Sequence, residues 1–220
     1  MPNWCNNLLT MKSKNRKLLN EVQSSVSKGI RADQEKGLLN HFRPMPDDLT
    51  NTVKGFDNSI PEWQKKSSKL LEEKHGADNW YDWAVKNWGT KWDVLTCYDC
   101  NVISLDNGVW MLSIQFESAR SPPEEAIEYF VKHVRKTIDS MSEDEVLSSV
   151  TLQYIEPGVG YCGVRDFLDE SNTFFIQDYT KENLHQDDVG NYIWLEEELE
   201  AERAYQKEMD EEWKEESCSY

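Results

Sequence analysis

Three groups of residues have types and spacings that could support chemistry. Cys97-Tyr98-Asp99-Cys100 has the two-residue gap of a metal or dithiol pair. A structural zinc needs four convergent ligands, and neither a second CxxC nor a spaced histidine pair accompanies this one. On an extended strand an offset of three also turns the two thiols to opposite faces, which favours ordinary packing. Gly158-Val159-Gly160-Tyr161-Cys162-Gly163 matches the letters of a dinucleotide fingerprint. That fingerprint must open a helix whose N-terminus meets a pyrophosphate, whereas Tyr161 to Phe167 reads as a strand. The kinase version fails too, because Arg165 stands at the valine position and no kinase catalytic loop follows. These glycines are turn residues. His41, His75, His133 and His185 are scattered, and neither GxSxG nor a Walker loop occurs. The sequence therefore predicts no catalytic residue, no metal ligand and no cofactor.

The densest feature is aromatic. Asn79 to Asp93 holds four of the nine tryptophans in fifteen residues. Trp80, Trp83, Ala84 and Trp88 fall at i, i+3, i+4 and i+8, which is one helical face, and Gly89 stands where such a helix would stop. Trp80, Trp83, Trp88 and Trp92 are read as structural aromatic anchors that form the core of a helical insertion. The competing reading is an exposed platform for a partner or an unstacked base, and Lys86 and Lys91 could add cation–π contacts to either.

The elements that must position this motif follow from periodicity. Leu8, Leu9 and Met11 predict a short first strand, and Leu18, Leu19, Val22 and Val26 an amphipathic helix ending near Gly29. Leu38 to Phe42 can form a second strand, stopped by Arg43-Pro44-Met45-Pro46. Glu62 to Lys74 reads as a polar helix joined through His75-Gly76-Ala77-Asp78 to the tryptophan helix, so the insertion spans about 43–92. Asp106-Asn107-Gly108 marks a hairpin. With Asn107-Gly108 as a two-residue turn, Leu105 faces Trp110 and Ile103 faces Leu112. Ser121-Pro122-Pro123-Glu124 has the form of a capping box ahead of a helix with Ile127, Phe130, Val131, Val134 and Ile138 on one face. Val150, Leu152 and Tyr154 lead through the turn Glu156–Gly160 to a return strand. This succession predicts an α+β fold: a ferredoxin-like antiparallel sheet with helices on one face, the tryptophan-rich insertion, and an acidic C-terminal helix. The expected domains are 1–180 and the helical appendage 181–220.

In that appendage, residues 192–216 place Leu195, Leu199, Tyr205, Met209 and Trp213 on a broad common face amid glutamates. These five are the candidate partner-binding residues. Residues 182–216 hold fourteen acids against three bases, net −11, whereas residues 1–60 are net +3 from nine bases and six acids. Much of the overall charge of −17 therefore lies near the end of the chain. Strong negative charge disfavours binding to nucleic-acid phosphates and suits a protein partner with a basic surface. No run approaches the roughly 18 apolar residues that span a membrane, and the opening residues lack a signal-peptide pattern. Five cysteines is an odd count that predicts thiols rather than a disulfide framework. The expected location is the cytoplasm.

Several segments together resemble a known family. Met1-Pro2-Asn3-Trp4-Cys5-Asn6-Asn7, Pro44-Met45-Pro46, Asn79 to Trp83 with Asn87 to Asp93, Ser121-Pro122-Pro123, and Tyr154-Ile155-Glu156-Pro157-Gly158 are similar, in order over about residues 1–166, to the YubB-like ferredoxin-like-domain proteins of phages and plasmids. The resemblance implies a ferredoxin-like fold and carriage by a mobile element. It implies no catalytic residues, and the acidic C-terminal segment lies outside it. The expectation is a non-enzymatic accessory protein that binds a host or competing-element protein, for instance to inhibit a defence system or toxin. The alternatives are a single-stranded nucleic-acid binder and an uncharacterised enzyme.

Overall fold

The computed structural model describes residues 3–26, 36–55, 59–137, 146–169, 173–177, 185–186 and 192–193. Strand β1, Trp4–Ser13, alternates strictly: Cys5, Asn7, Leu9, Met11 and Ser13 are buried, while Asn6, Leu8, Thr10 and Lys12 are only partly covered. That period of two makes a strand with one face against the core. It pairs antiparallel with β3 (Trp110–Ala119) on one side and β4 (Ser149–Glu156) on the other. With β2 (Asp99–Ser104), β5 (Tyr161–Asp166) and β6 (Phe174–Gln177) the sheet has six strands in the order β2-β3-β1-β4-β5-β6, every neighbouring pair antiparallel. The fold is therefore α+β on an antiparallel sheet.

Helix α1, Arg16–Ser24, begins where the Asn15 side chain accepts the Leu18 N–H at 3.1 Å, and it buries Leu18, Leu19 and Val22 beside β1, β2 and β3. Helix α6, Glu124–Thr137, adds Ile127, Phe130 and Val131 to the same core. It is clamped to the sheet by Arg165 of β5, whose guanidinium donates to Glu124 at 2.6 Å and Glu128 at 2.8 Å. Arg165 stands opposite Leu152, and Leu152 opposite the buried Leu9, so this clamp lies on the covered face. No helix among the described residues is long and apolar enough to cross a membrane.

Among the described residues between α1 and β2 lie four α-helices: α2 (Leu38–Phe42), α3 (Asp47–Thr50), α4 (Glu62–His75) and α5 (Trp80–Trp88). The Asn79 side chain caps α5 by accepting the Asp82 N–H at 2.9 Å, and Gly89 ends it in the left-handed region at φ 81°. The buried Gln64 side chain exchanges two 2.9 Å hydrogen bonds with the Val53 backbone, which fastens the linker to α4.

The structure corrects several expectations. Leu38 to Phe42 is the helix α2, not a strand, because a short apolar run carries no period of its own and tertiary contacts decide it. The insertion thus begins at α2 instead of at about 43. The hairpin loop has three residues: the Leu105 N–H donates to Val109 at 2.8 Å, so Ser104 faces Trp110 and Val102, not Ile103, faces Leu112. A one-residue slip exchanges the faces of β2, leaving Ile103 exposed. The capping box does not form; α6 starts at Glu124, and the Ser121 hydroxyl instead donates to the Gly89 carbonyl at 2.5 Å. Helix α1 stops at Ser24, and Gly29 lies outside the described residues. Tyr192 and Ile193, where the C-terminal helix was expected to begin, form the two-residue strand β8 against β7 (His185–Gln186).

The four tryptophans of the motif do not share one environment. Trp83 and Trp88 are each 4% exposed and meet edge-on at 5.6 Å, Trp80 is half-buried, and Trp92, which lies past the helix, is 38% exposed. Burying one indole contributes roughly 4–6 kcal/mol gross, from about 150–250 Å² at about 25 cal/mol per Å². We expect Trp88→Ala to lose about 3–5 kcal/mol of stability and Trp92→Ala less than about 1 kcal/mol, read as thermal or urea midpoints. Equal losses would contradict the division between anchor and surface ring.

The clamp also makes a pH-dependent contribution. Lys132, and then Arg165, hold the Glu128 carboxyl below its ordinary range against the opposing effect of burial. A carboxylate with a lowered folded-state pKa adds stability above its unfolded pKa and loses it as the pH falls through the folded value. Arg165→Met should therefore be less stable than wild type at about pH 7, and the gap should narrow by about pH 3. Urea midpoints at the two pH values give the comparison.

Candidate functional site

The antiparallel registers bring segments far apart in sequence to one end of the sheet. Trp4 stands opposite Ala119, Cys5 opposite Ser118, and Glu156 opposite Tyr161 across the β4–β5 turn. The chain just after α5 joins the same corner, because the Thr90 hydroxyl donates to the Ala119 carbonyl at 2.7 Å. From Gly89 a chain of hydrogen bonds runs inward. Ser121 donates to Gly89, Ser118 to the Ser121 carbonyl at 2.7 Å, and the Asn7 amide to Ser118 at 2.9 Å and to the Cys5 carbonyl at 2.8 Å. Arg120, in the left-handed region at φ 75°, donates its N–H to Asn3 at 2.9 Å and accepts the Tyr161 hydroxyl at 2.5 Å. Four segments singled out separately in the sequence, the opening residues, the tryptophan motif, the Ser121 prolines and the Glu156 turn, therefore form one corner.

Most of this corner is scaffold. Glu156 is fully buried, and its carboxylate accepts the Gly158 N–H at 2.9 Å and the Val159 N–H at 2.5 Å, closing the turn that the glycine-rich letters suggested was a phosphate loop. A Cβ at Gly158 would lie 2.6 Å from the Asn3 amide, which ties this turn to the start of β1. Burial, and then the negative charge of Glu156, push the Cys5 thiol up to about 12. Burial also raises the phenols of Tyr154 and Tyr161 above their usual range. A thiol that stays protonated is a poor nucleophile.

What the corner presents outward is aromatic and basic. Trp4 is 41% exposed and packs against Trp92 with ring centroids 6.0 Å apart. The Lys91 ammonium sits 4.2 Å from the Trp92 ring and 5.7 Å from that of Tyr81, and it makes no ion pair among the described residues. Behind this pair opens a cleft of about 580 Å³ between α2, α3 and α5, with Trp80, Trp88, Met45 and Asn40 among its walls and Lys91 and Trp92 at its rim. Its back is closed by Asp93, whose carboxylate accepts the Gly37, Leu39 and Val94 N–H groups at 2.8 Å and that of Asn40 at 3.3 Å. Burial raises the Asp93 carboxyl, and those four bonds oppose the rise. Gly37 is required here, since a Cβ would overlap the Val94 carbonyl oxygen that accepts the Leu38 N–H.

Trp88 and Lys91 therefore reach the site, Trp80 forms part of its wall, and Trp83 stays in the core. Trp92 is a surface ring rather than a structural anchor. Leu195, Leu199, Tyr205, Met209 and Trp213 lie outside the described residues. Cys100 is buried while Cys97 precedes the strand, and no two of Cys5, Cys97, Cys100 and Cys162 are joined in a disulfide. Among the described residues no group of three or more His, Cys, Asp or Glu side chains could hold a metal ion. Sequence reasoning missed Trp4, Asn40 and Asn51, which no local pattern links to the tryptophan motif, and it gave no role to Tyr81 within that motif. Comparison with protein-family models, with curated proteins and with solved structures found no match.

The buried thiol supplies a direct check. Iodoacetamide at about pH 8 should leave Cys5 unmodified in the folded protein and label it after denaturation, with peptide mass spectrometry identifying the site. Labelling of Cys5 in the native state would refute the environment described for it.

Proposed function

We propose that this chain is a non-enzymatic accessory protein, carried by a phage or plasmid, that binds a host or competing-element protein through the corner formed by Trp4, Lys91 and Trp92. One observation carries the reading: separate segments are tied by hydrogen bonds into one corner whose outward residues are two exposed indoles and a lysine with no ion pair among the described residues. Rigid, clustered aromatics with a neighbouring cation are the usual anchors of protein interfaces, where a few residues supply most of the affinity. The inertness expected of the Cys5 thiol argues against the buried polar row as a nucleophilic centre.

The strand order supports the ferredoxin-like reading. Taken alone, β1-α1-β2-β3-α6-β4 arranges its strands as β4-β1-β3-β2, which is the order of a split βαβ sheet, and β5 and β6 extend it past β4. Carriage by a mobile element rests on the family resemblance, and inhibition of a defence system or toxin is the role that suits such a protein. The acidic segment with Leu195, Leu199, Tyr205, Met209 and Trp213 offers a second contact, toward a basic surface. The protein acts in the host cytoplasm.

A photo-crosslinking residue at position 92, with a control at the exposed Gln153, tests the site in cells that carry the element. A defined protein adduct from position 92, absent from position 153 and weakened about tenfold or more by Trp4→Ala without loss of folding, is expected. A nuclease-sensitive adduct would replace this reading with single-stranded nucleic-acid binding. Identical adducts from both positions would reject the corner as the interface.

A further inference from the structure

We infer that the cleft between α2, α3 and α5 is a binding site for a nucleoside phosphate, with the phosphate at Lys91 and the base against the tryptophan wall. The cleft, at about 580 Å³, falls within the roughly 300–1,000 Å³ of small-ligand sites. Its polar groups divide into those already engaged and those that are not. Asp93 already accepts four backbone N–H groups, three of them at Oδ1, and Asp47 lies 3.7 Å from Lys36. Neither carboxylate therefore needs the Lys91 ammonium, which the rings of Tyr81 and Trp92 hold at the rim. An anion arriving there meets a cation already positioned, and a charge-assisted hydrogen bond to phosphate is among the stronger polar contacts.

The remaining lining selects the rest of the ligand. Among the described residues, the indole N–H of Trp88 donates to the Arg43 carbonyl at 2.8 Å, but those of Trp80 and Trp92 have no acceptor. The side-chain amides of Asn40 and Asn51 likewise have no partner there. Each amide offers a donor and an acceptor side by side, as a base edge requires, and the indoles offer planar surfaces on which a base stacks for about 1–3 kcal/mol. An acidic peptide side chain would satisfy the ammonium but present no planar edge to the two amides. The site shares Lys91 and Trp92 with the proposed protein interface but does not rest on that reading, since nucleotide binding to the isolated chain is measured without any protein partner.

The test uses the full chain labelled with ¹⁵N at the tryptophan indoles, titrated separately with AMP, GMP, CMP and UMP, with their nucleosides, with inorganic phosphate and with a short Asp-Trp peptide. At least one monophosphate should shift the Trp80 and Trp92 indole signals saturably. Its nucleoside should bind about tenfold or more weakly, and Lys91→Met should cause a similar loss that Lys91→Arg largely restores. Asn51→Ala, at an exposed position, should weaken the nucleotide but not inorganic phosphate. The inference fails if no monophosphate moves those signals at millimolar concentration, or if Lys91→Met leaves the affinity unchanged. It also fails if phosphate alone binds as tightly as any nucleotide, or if the peptide binds more tightly than all four.

Discussion

Four backbone N–H groups converge on the carboxylate of Asp93, and the helical insertion is organised around that anion. Three of them belong to the first turn of α2, so a residue that follows the tryptophan helix supplies the cap which this five-residue helix cannot provide for itself. An isolated helix of that length has no stability in water. Its first N–H groups are satisfied because the chain after α5 returns alongside, where Val94 accepts the Leu38 N–H at 2.9 Å. The same contact closes the back of the cleft. Fold and candidate site therefore depend on one buried charge whose desolvation is offset by backbone dipoles.

Two arginines connect the insertion and the sheet to α6. The Arg43 guanidinium lies 4.5 Å from the Tyr129 ring and 5.9 Å from Trp83, while its carbonyl accepts the Trp88 indole N–H. Phe42 and Phe130 pack at 4.7 Å beside it, so α2, α5 and α6 form one apolar unit. On the other side Arg165 holds two carboxylates of α6. Helix α6 is thus fixed by stacking on one flank and by ion pairs on the other, and its N-terminal end meets the corner where Ser121 joins Gly89. This explains how Lys91 and Trp92 are held beside the sheet although both lie outside regular structure.

That placement bears on function. Ring pairs such as Trp4 and Trp92 lose little conformational freedom on binding when their backbones are already held, and the saving appears as affinity. The polar row beneath them, Ser118, Cys5, Glu156 and Tyr161, is satisfied internally and serves as support.

What the sequence by itself determined was local. The alternation in β1, β3 and β4, the caps of α5 at Asn79 and Gly89, and the apolar face of α6 each follow from residues within a few positions of one another, so period and capping chemistry suffice. The strand reading of Tyr161–Asp166, which removed the apparent dinucleotide fingerprint, was legible for the same reason. Other features depended on contacts across long sequence separations. Leu38 to Phe42 is helical because Asp93, more than fifty residues on, caps it. Trp92 is a surface ring although Trp88, four residues earlier, is buried, because the chain leaves the helix at Gly89 and Thr90 then ties it to the end of β3. The register of β2 depended on whether its loop had two or three residues, a choice for which Asn107-Gly108 serves either way. Only the tertiary structure could decide these points, since each turns on a partner that no local pattern identifies.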